Sequence, residues 1–161
     1  MSKQVPMVLF LVLCLGVSFS ACAGDGKWGD DFAKAKAEAA EKGRPILIDF
    51  TGSDWCGWCI KLEKEVFSKT EFKKYARANL VLFVADFPQG KKVSKKTRQQ
   101  NDELAKTYGV KGYPTVLLVD AEGTVIARTG YKEGGAEAYV KQLQEMLKDF
   151  KPAEDKDAKD K

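Results

Sequence analysis

The 161-residue sequence contains no histidine. That excludes Ser-His-Asp and Cys-His catalysis within the chain, and any zinc, copper or non-haem iron site that needs an imidazole. Cysteine is scarce, with four residues, and only Cys56 and Cys59 stand in a C-x-x-C spacing. No second pair exists to complete a four-thiolate metal site. Long apolar runs are missing as well: Met7 to Val17, with 11 residues, is too short to cross a bilayer. A broad basic face, the footprint of nucleic-acid binding, is also lacking. The net charge of +4 is local, because Phe87 to Gln100 holds Lys91, Lys92, Lys95, Lys96 and Arg98 and no acid. Away from that segment the chain is slightly acidic. What is present, 44% hydrophobic and 31% charged residues, suits one globular domain.

The first residues read as an export signal. Lys3 supplies a positive start, and the apolar run from Met7 has the length of a signal core. Two readings of its end stay open. Phe19-Ser20-Ala21-Cys22 resembles a bacterial lipobox, with Phe19 where leucine is usual, which would make Cys22 a lipidated N-terminus. Ala21-Cys22-Ala23 equally fits an A-x-A cleavage site. Export implies a compartment in which disulfides persist. The expected organisation is a signal over 1–23, one domain over 24–150 with a basic insert at 87–100, and a disordered charged tail over 151–161.

Within the domain, Asp30 is expected to cap an alanine-rich helix that runs to Lys42 and ends at Gly43. Ile46-Leu47-Ile48-Asp49-Phe50 has the uninterrupted apolar character of a buried parallel strand. A short polar turn leads into a helix from about Cys56 to Phe67, and Ser68-x-x-Glu71 reads as a capping box for another through Ala78. Leu80 to Ala85 is a second buried strand. After the basic insert, Asn101 to Tyr108 reads as a helix closed by Gly109. Thr115–Asp120 and Thr124–Thr129 form a hairpin, and an amphipathic helix carries Tyr139, Val140, Leu143, Met146, Leu147 and Phe150. Two early strands joined through helices must run parallel, whereas the late pair is free to be antiparallel. The expected fold class is α/β, a central mixed sheet flanked by helices on both faces.

The chemistry concentrates in Trp55-Cys56-Gly57-Trp58-Cys59, just after a buried strand and at a helix start. Two intervening residues on a first helical turn bring the sulfurs within disulfide reach. The unpaired N–H groups and positive end of that helix favour a thiolate on Cys56 and make it the nucleophile. Cys59, one turn further in, is the resolving cysteine. A static disulfide is the structural alternative.

These elements together resemble the thioredoxin superfamily: "ILIDF" before "WCGWC", then "VKGYPT" before "VLLVD", a hairpin and a last helix. The resemblance covers about Trp28 to Phe150 and implies the thioredoxin fold. It also implies that Pro114 is a cis-proline packed beside the disulfide, with Tyr113 offering backbone hydrogen bonds to an extended substrate. Asp49 matches the family's buried acid, which would take the proton of Cys59. One extra residue separates that acid from the first cysteine here, and Asp54 competes for the role. Trp55 is expected to shield the motif, and Trp58, with Gly57, departs from the family's usual Gly-Pro, Gly-His or Pro-His. An exposed Trp58 would give protein substrates an apolar platform.

The implied activity is thiol:disulfide exchange on exported proteins, most of all reduction, in a periplasmic or membrane-tethered monomer. It needs no cofactor, and its partners are disulfide substrates and an upstream thiol donor, a membrane electron carrier being one candidate. No nucleic acid is expected, and the membrane would be met only through a lipid anchor at Cys22. An isomerase or oxidase, and a non-catalytic binding module using Trp55, Trp58 and Tyr113, remain alternatives.

Overall fold

The computed structural model describes residues 26–152. The segment read as a signal, Cys22 and nearly all of the charged C-terminal stretch lie outside the described residues. Five strands form one sheet: β1 (Trp28–Gly29), β2 (Ile46–Thr51), β3 (Val81–Asp86), β4 (Thr115–Val119) and β5 (Val125–Thr129). Their order is β1-β3-β2-β4-β5. β1 and β2 run parallel to β3, β4 is antiparallel to β2, and β5 is antiparallel to β4. The helices are α1 (Phe32–Lys42), α2 (Gly57–Leu62), α3 (Thr70–Asn79), α4 (Lys95–Thr107) and α5 (Gly135–Met146). The expected mixed sheet is present, with β1 added at its edge.

Central β2 is buried along its whole length, as its apolar run requires. Side chains alternate across a strand, so its residues serve two cores. Leu47 joins Leu62, Val66, Phe72, Tyr139 and Leu143 beneath α2, α3 and α5. Ile46, Ile48 and Phe50 join Ala35, Ala39 and Phe83 on the other side, against α1 and α4. The same alternation puts Asp49 on the Leu47 face, under α2. That is the step by which a strand pattern places a carboxyl group behind the cysteines.

Several boundaries differ from the sequence reading. The cap of α1 is Asp31, not Asp30: its Oδ1 accepts from the Lys34 N–H at 3.2 Å. Asp30 instead gives its carbonyl to Gln100 Nε2 at 2.9 Å. The Ser68 capping box does not form. Ser68 Oγ donates back to the Lys64 carbonyl, and α3 starts at Thr70 without a side-chain cap. The reason is a π-helical turn over Glu63–Phe67 that prolongs α2. The Ser68 N–H reaches the Glu63 carbonyl at 2.9 Å, which leaves Ser68 closing that turn. α4 begins at Lys95, capped by Ser94 Oγ, which accepts from the Thr97 N–H at 3.0 Å, so the second half of the basic insert is helix. α5 stops at Met146, before Phe150.

Asn101, on α4, is buried, and its Nδ2 donates to the Asp86 carbonyl at the end of β3 at 3.0 Å. Asn101→Leu is expected to lower stability by about 1–3 kcal/mol, because that carbonyl keeps no side-chain partner away from water. Urea unfolding against the unmodified protein measures it.

Candidate redox site

The segment after β2 turns sharply. The Cys56 N–H donates to the Gly52 carbonyl at 2.9 Å, and Cys56 becomes the residue that caps α2. Its Sγ accepts from the Cys59 N–H at 3.3 Å. A backbone donor aimed at that sulfur favours negative charge on it. Cys56 and Cys59 are joined in a disulfide, with Cα atoms 5.2 Å apart. Both are buried, Cys59 (4% exposed) slightly more than Cys56 (7%).

Aromatic side chains frame the pair. Trp55 and Trp58 are exposed, at 43% and 57%. The peptide bond Tyr113–Pro114 is cis. Tyr113 stands edge-on to Trp55, with ring centroids 5.9 Å apart, and Phe87 lies 5.2 Å from Tyr113. Trp58 packs on Tyr131 at 5.2 Å, and the Lys61 ammonium sits 5.1 Å and 4.9 Å from the two ring centroids. Tyr131 and the Lys61 cation hold part of the Trp58 ring, and more than half of its surface stays open to solvent. Tyr131 is in turn anchored by its hydroxyl, which donates to Glu65 Oε2 at 2.6 Å. Gly57 opens α2 with open space around it, so nothing in its surroundings demands glycine there.

Asp49 and Asp54 have separate positions. Asp49 lies behind the pair with only 7% exposure, and its Oδ1 has no hydrogen-bond partner. Burial raises its pKa to about 8, with help from the charges of Glu63 and Asp86. It shares a cavity of about 380 Å³ with Cys59, Glu63, Ser53, Lys64 and Trp28. Asp54 does not line that cavity. Its carboxylate accepts from the Gln89 and Gly90 N–H groups, at 3.0 Å and 2.7 Å, and these bonds, that of Gln89 first, hold its pKa below the usual range.

Several residues escaped the sequence reading. Glu63 lines the cavity while staying exposed on its solvent side, and partial desolvation there raises its pKa too. Its only sequence signal is a position one helical turn after Cys59. Ser53 donates from its N–H and its hydroxyl to the two Asp86 carboxylate oxygens, at 3.0 Å and 2.6 Å. Trp55 Nε1 donates to the Phe87 carbonyl at 2.8 Å. Gly130 is a close-approach site, since a Cβ there would stand 3.0 Å from the Pro114 carbonyl. Gly52 is another, because a Cβ would fall 2.6 Å from Trp55 Nε1. Gly52→Ala is expected to displace that indole and cost roughly 1–3 kcal/mol. Near-UV circular dichroism reads the displacement, and urea unfolding the cost.

Known proteins resemble this chain in sequence and fold. The thioredoxin-like domain family matches residues 32–149. The chain is 39% identical over 126 residues to the disulfide bond reductase DsbH of Chlamydia pneumoniae, covering 78% of this chain and 75% of that protein. A solved structure of a DsbH oxidoreductase superposes with a TM-score of 0.74 at 33% identity, covering 92% of this chain and 95% of that one. The thiol:disulfide interchange protein DsbD of Cronobacter sakazakii is 32% identical over 122 residues, which are 74% of this chain and 19% of DsbD.

Proposed function

The chain belongs to the thioredoxin-like family, and on that premise we propose that it is a thiol:disulfide oxidoreductase that reduces disulfides in exported proteins. The observation that carries this reading is the Cys56–Cys59 disulfide at the start of α2, with buried Asp49 on the same cavity as Cys59; the cis Tyr113–Pro114 bond, whose tyrosine packs on Trp55, supports it. The similarity to a disulfide bond reductase over three-quarters of each chain supports the direction.

In the reduced enzyme the Cys56 thiolate attacks one sulfur of a substrate disulfide. The other sulfur leaves with the bonding electron pair and takes a proton from solvent. Cys59 then attacks the Cys56 sulfur of the mixed disulfide. Its proton passes to the Asp49 carboxylate, whose pKa of about 8 is close enough to neutrality for that transfer. The second substrate thiolate departs and is protonated. Two electrons have moved: the substrate is reduced to a dithiol and the enzyme pair is oxidised. A dithiol protein must reverse the change, and the similarity to DsbD supports a partner of that chemistry.

Trp55, Tyr113 and Trp58 form the apolar rim on which a substrate chain lies, and the backbone at Tyr113 pairs with it. Gly57 keeps the approach to Cys56 open. Export rests on the charged and apolar order of the first residues, and lipidation at Cys22 on the small residues before it.

The reduction potential of the Cys56–Cys59 pair, measured by thiol labelling across glutathione buffers, tests the proposal. A value near thioredoxin's, about −270 mV, is expected. A value near about −120 mV would make the protein an oxidant and overturn the direction. A pair that stays locked would leave only a binding module.

A further inference from the structure

The cations from Lys91 to Arg98 have no role in that chemistry, and they are arranged against local stability. Among the described residues the ion pairs are Lys42–Glu38, Lys61–Glu65 and Lys148–Glu145, and none involves this segment. Lys95 and Lys96 are the first two residues of α4, Arg98 follows within the next turn, and the first turn holds no acid. A helix N-terminus is already positive, so these charges disfavour the helix they begin. All five cations are exposed.

The segment is also pinned at both ends, at its start to the residues beside the redox pair. At its start, the Gln89 and Gly90 N–H groups donate to Asp54, two residues before Cys56. The Phe87 carbonyl accepts from Trp55 Nε1, and the Phe87 ring packs on Tyr113. At its far end, Gln100 Oε1 accepts from the Phe32 N–H at 2.9 Å, and Asn101 Nδ2 holds the Asp86 carbonyl at 3.0 Å. Like charges held in place this way make a fixed positive field that opposite charge would relieve.

The geometry points to a docking surface: Lys91, Lys92, Lys95, Lys96 and Arg98 receive an acidic stretch of a protein partner while the adjoining cysteines of that partner react at Cys56. This rests on the oxidoreductase reading and adds the partner's charge to it.

Two disulfide peptides of equal length test it, one with a run of glutamates beside its cysteines and one with serines there. They are offered to the reduced protein and to the triple variant K92E/K95E/K96E. At an ionic strength of about 20 mM the unmodified protein is expected to reduce the acidic peptide about tenfold faster than the neutral one, with the ratio falling toward one at about 0.5 M. In the variant the preference should vanish or invert. Glutamates in the first turn of a helix favour it, so the variant should melt at the same or a higher temperature, and misfolding would not explain a lost preference. Equal rates for both peptides with the unmodified protein at low salt would overturn the proposal. So would a vesicle result without a peptide preference, in which phosphatidylglycerol vesicles co-sediment with the unmodified protein and not with the variant, since that assigns the patch to lipid. Reduction of the small neutral hydroxyethyl disulfide separates the two readings. It should be unchanged in the variant, and its absence in the unmodified protein would defeat the oxidoreductase reading itself.

Discussion

In a Cys59→Ser variant, reduced protein mixed with a disulfide substrate is expected to stop at a covalent adduct through Cys56, with turnover down by roughly three orders of magnitude or more. Cys56→Ser should lose turnover to a similar extent and form no adduct. The asymmetry follows from the site. Cys56 caps α2 at the rim and receives the Cys59 N–H on its sulfur, whereas Cys59 lies one turn deeper, at the Asp49 cavity. Only the first receives a backbone donor on its sulfur, and it is slightly the more exposed; the second stands beside the carboxyl that can take its proton. Neither change should unfold the protein, because a cross-link over so short a loop constrains the unfolded chain by only about 2 kcal/mol. Non-reducing electrophoresis and mass spectrometry of the trapped species measure the outcome. An adduct on the Cys56→Ser variant and none on Cys59→Ser would reverse the two roles.

Asp49→Asn should act in opposite directions on stability and activity. Burial raises the Asp49 pKa from about 4 in the unfolded chain to about 8 in the oxidised fold. Between those values the folded state binds more protons than the unfolded state, so stability falls as pH rises through that window. Below about pH 4 the carboxyl is neutral in both states and carries no such penalty. Asparagine never ionises, so the variant should gain on the parent steadily from about pH 4 to pH 8, by roughly 5 kcal/mol at the upper end. The groups that act on Asp49 are Glu63 and Asp86, both unfavourable to its charge, and Tyr139 is itself raised in pKa by burial and then by Asp49.

Asparagine also cannot take the proton of Cys59. Resolution of the mixed disulfide should therefore slow near neutral pH and recover in alkali, where Cys59 ionises unaided. Urea unfolding at several pH values reads the first effect, and the pH profile of single-turnover resolution reads the second. A stability difference that is flat with pH would show that Asp49 is not held neutral by the fold.

Local order and chemistry were legible in the sequence wherever short-range physics decides them. The uninterrupted apolar run of β2 announces a central buried strand, and its alternation assigns Asp49 to the Leu47 face. Cysteines two residues apart at a helix start meet without help from the rest of the chain. The hairpin of β4 and β5 follows from Gly123 between two β-rich stretches. Where the reading slipped, local rules pointed the wrong way. Lys95 and Lys96 oppose the dipole of the helix they open, so α4 was expected six residues too late. The π-helical turn after Leu62 leaves no mark in a 3.6-residue pattern, and it took Ser68 out of its expected capping role. β1 is two residues long and exists because the edge of β3 offers unpaired backbone groups to it.

The sequence by itself determined the order of the five helices and the four longer strands, the redox pair and the face on which Asp49 lies. Each depends on covalent spacing or on the period of a single element. Tertiary structure alone decided that Asp54 binds the 89–90 loop, that Tyr131 packs on Trp58, and that Glu63 shares a cavity with Asp49. Asp54 and Gly90 are 36 residues apart and Trp58 and Tyr131 are 73 apart. Contacts of that range come from how helices settle on the sheet, and neither propensity nor spacing records it.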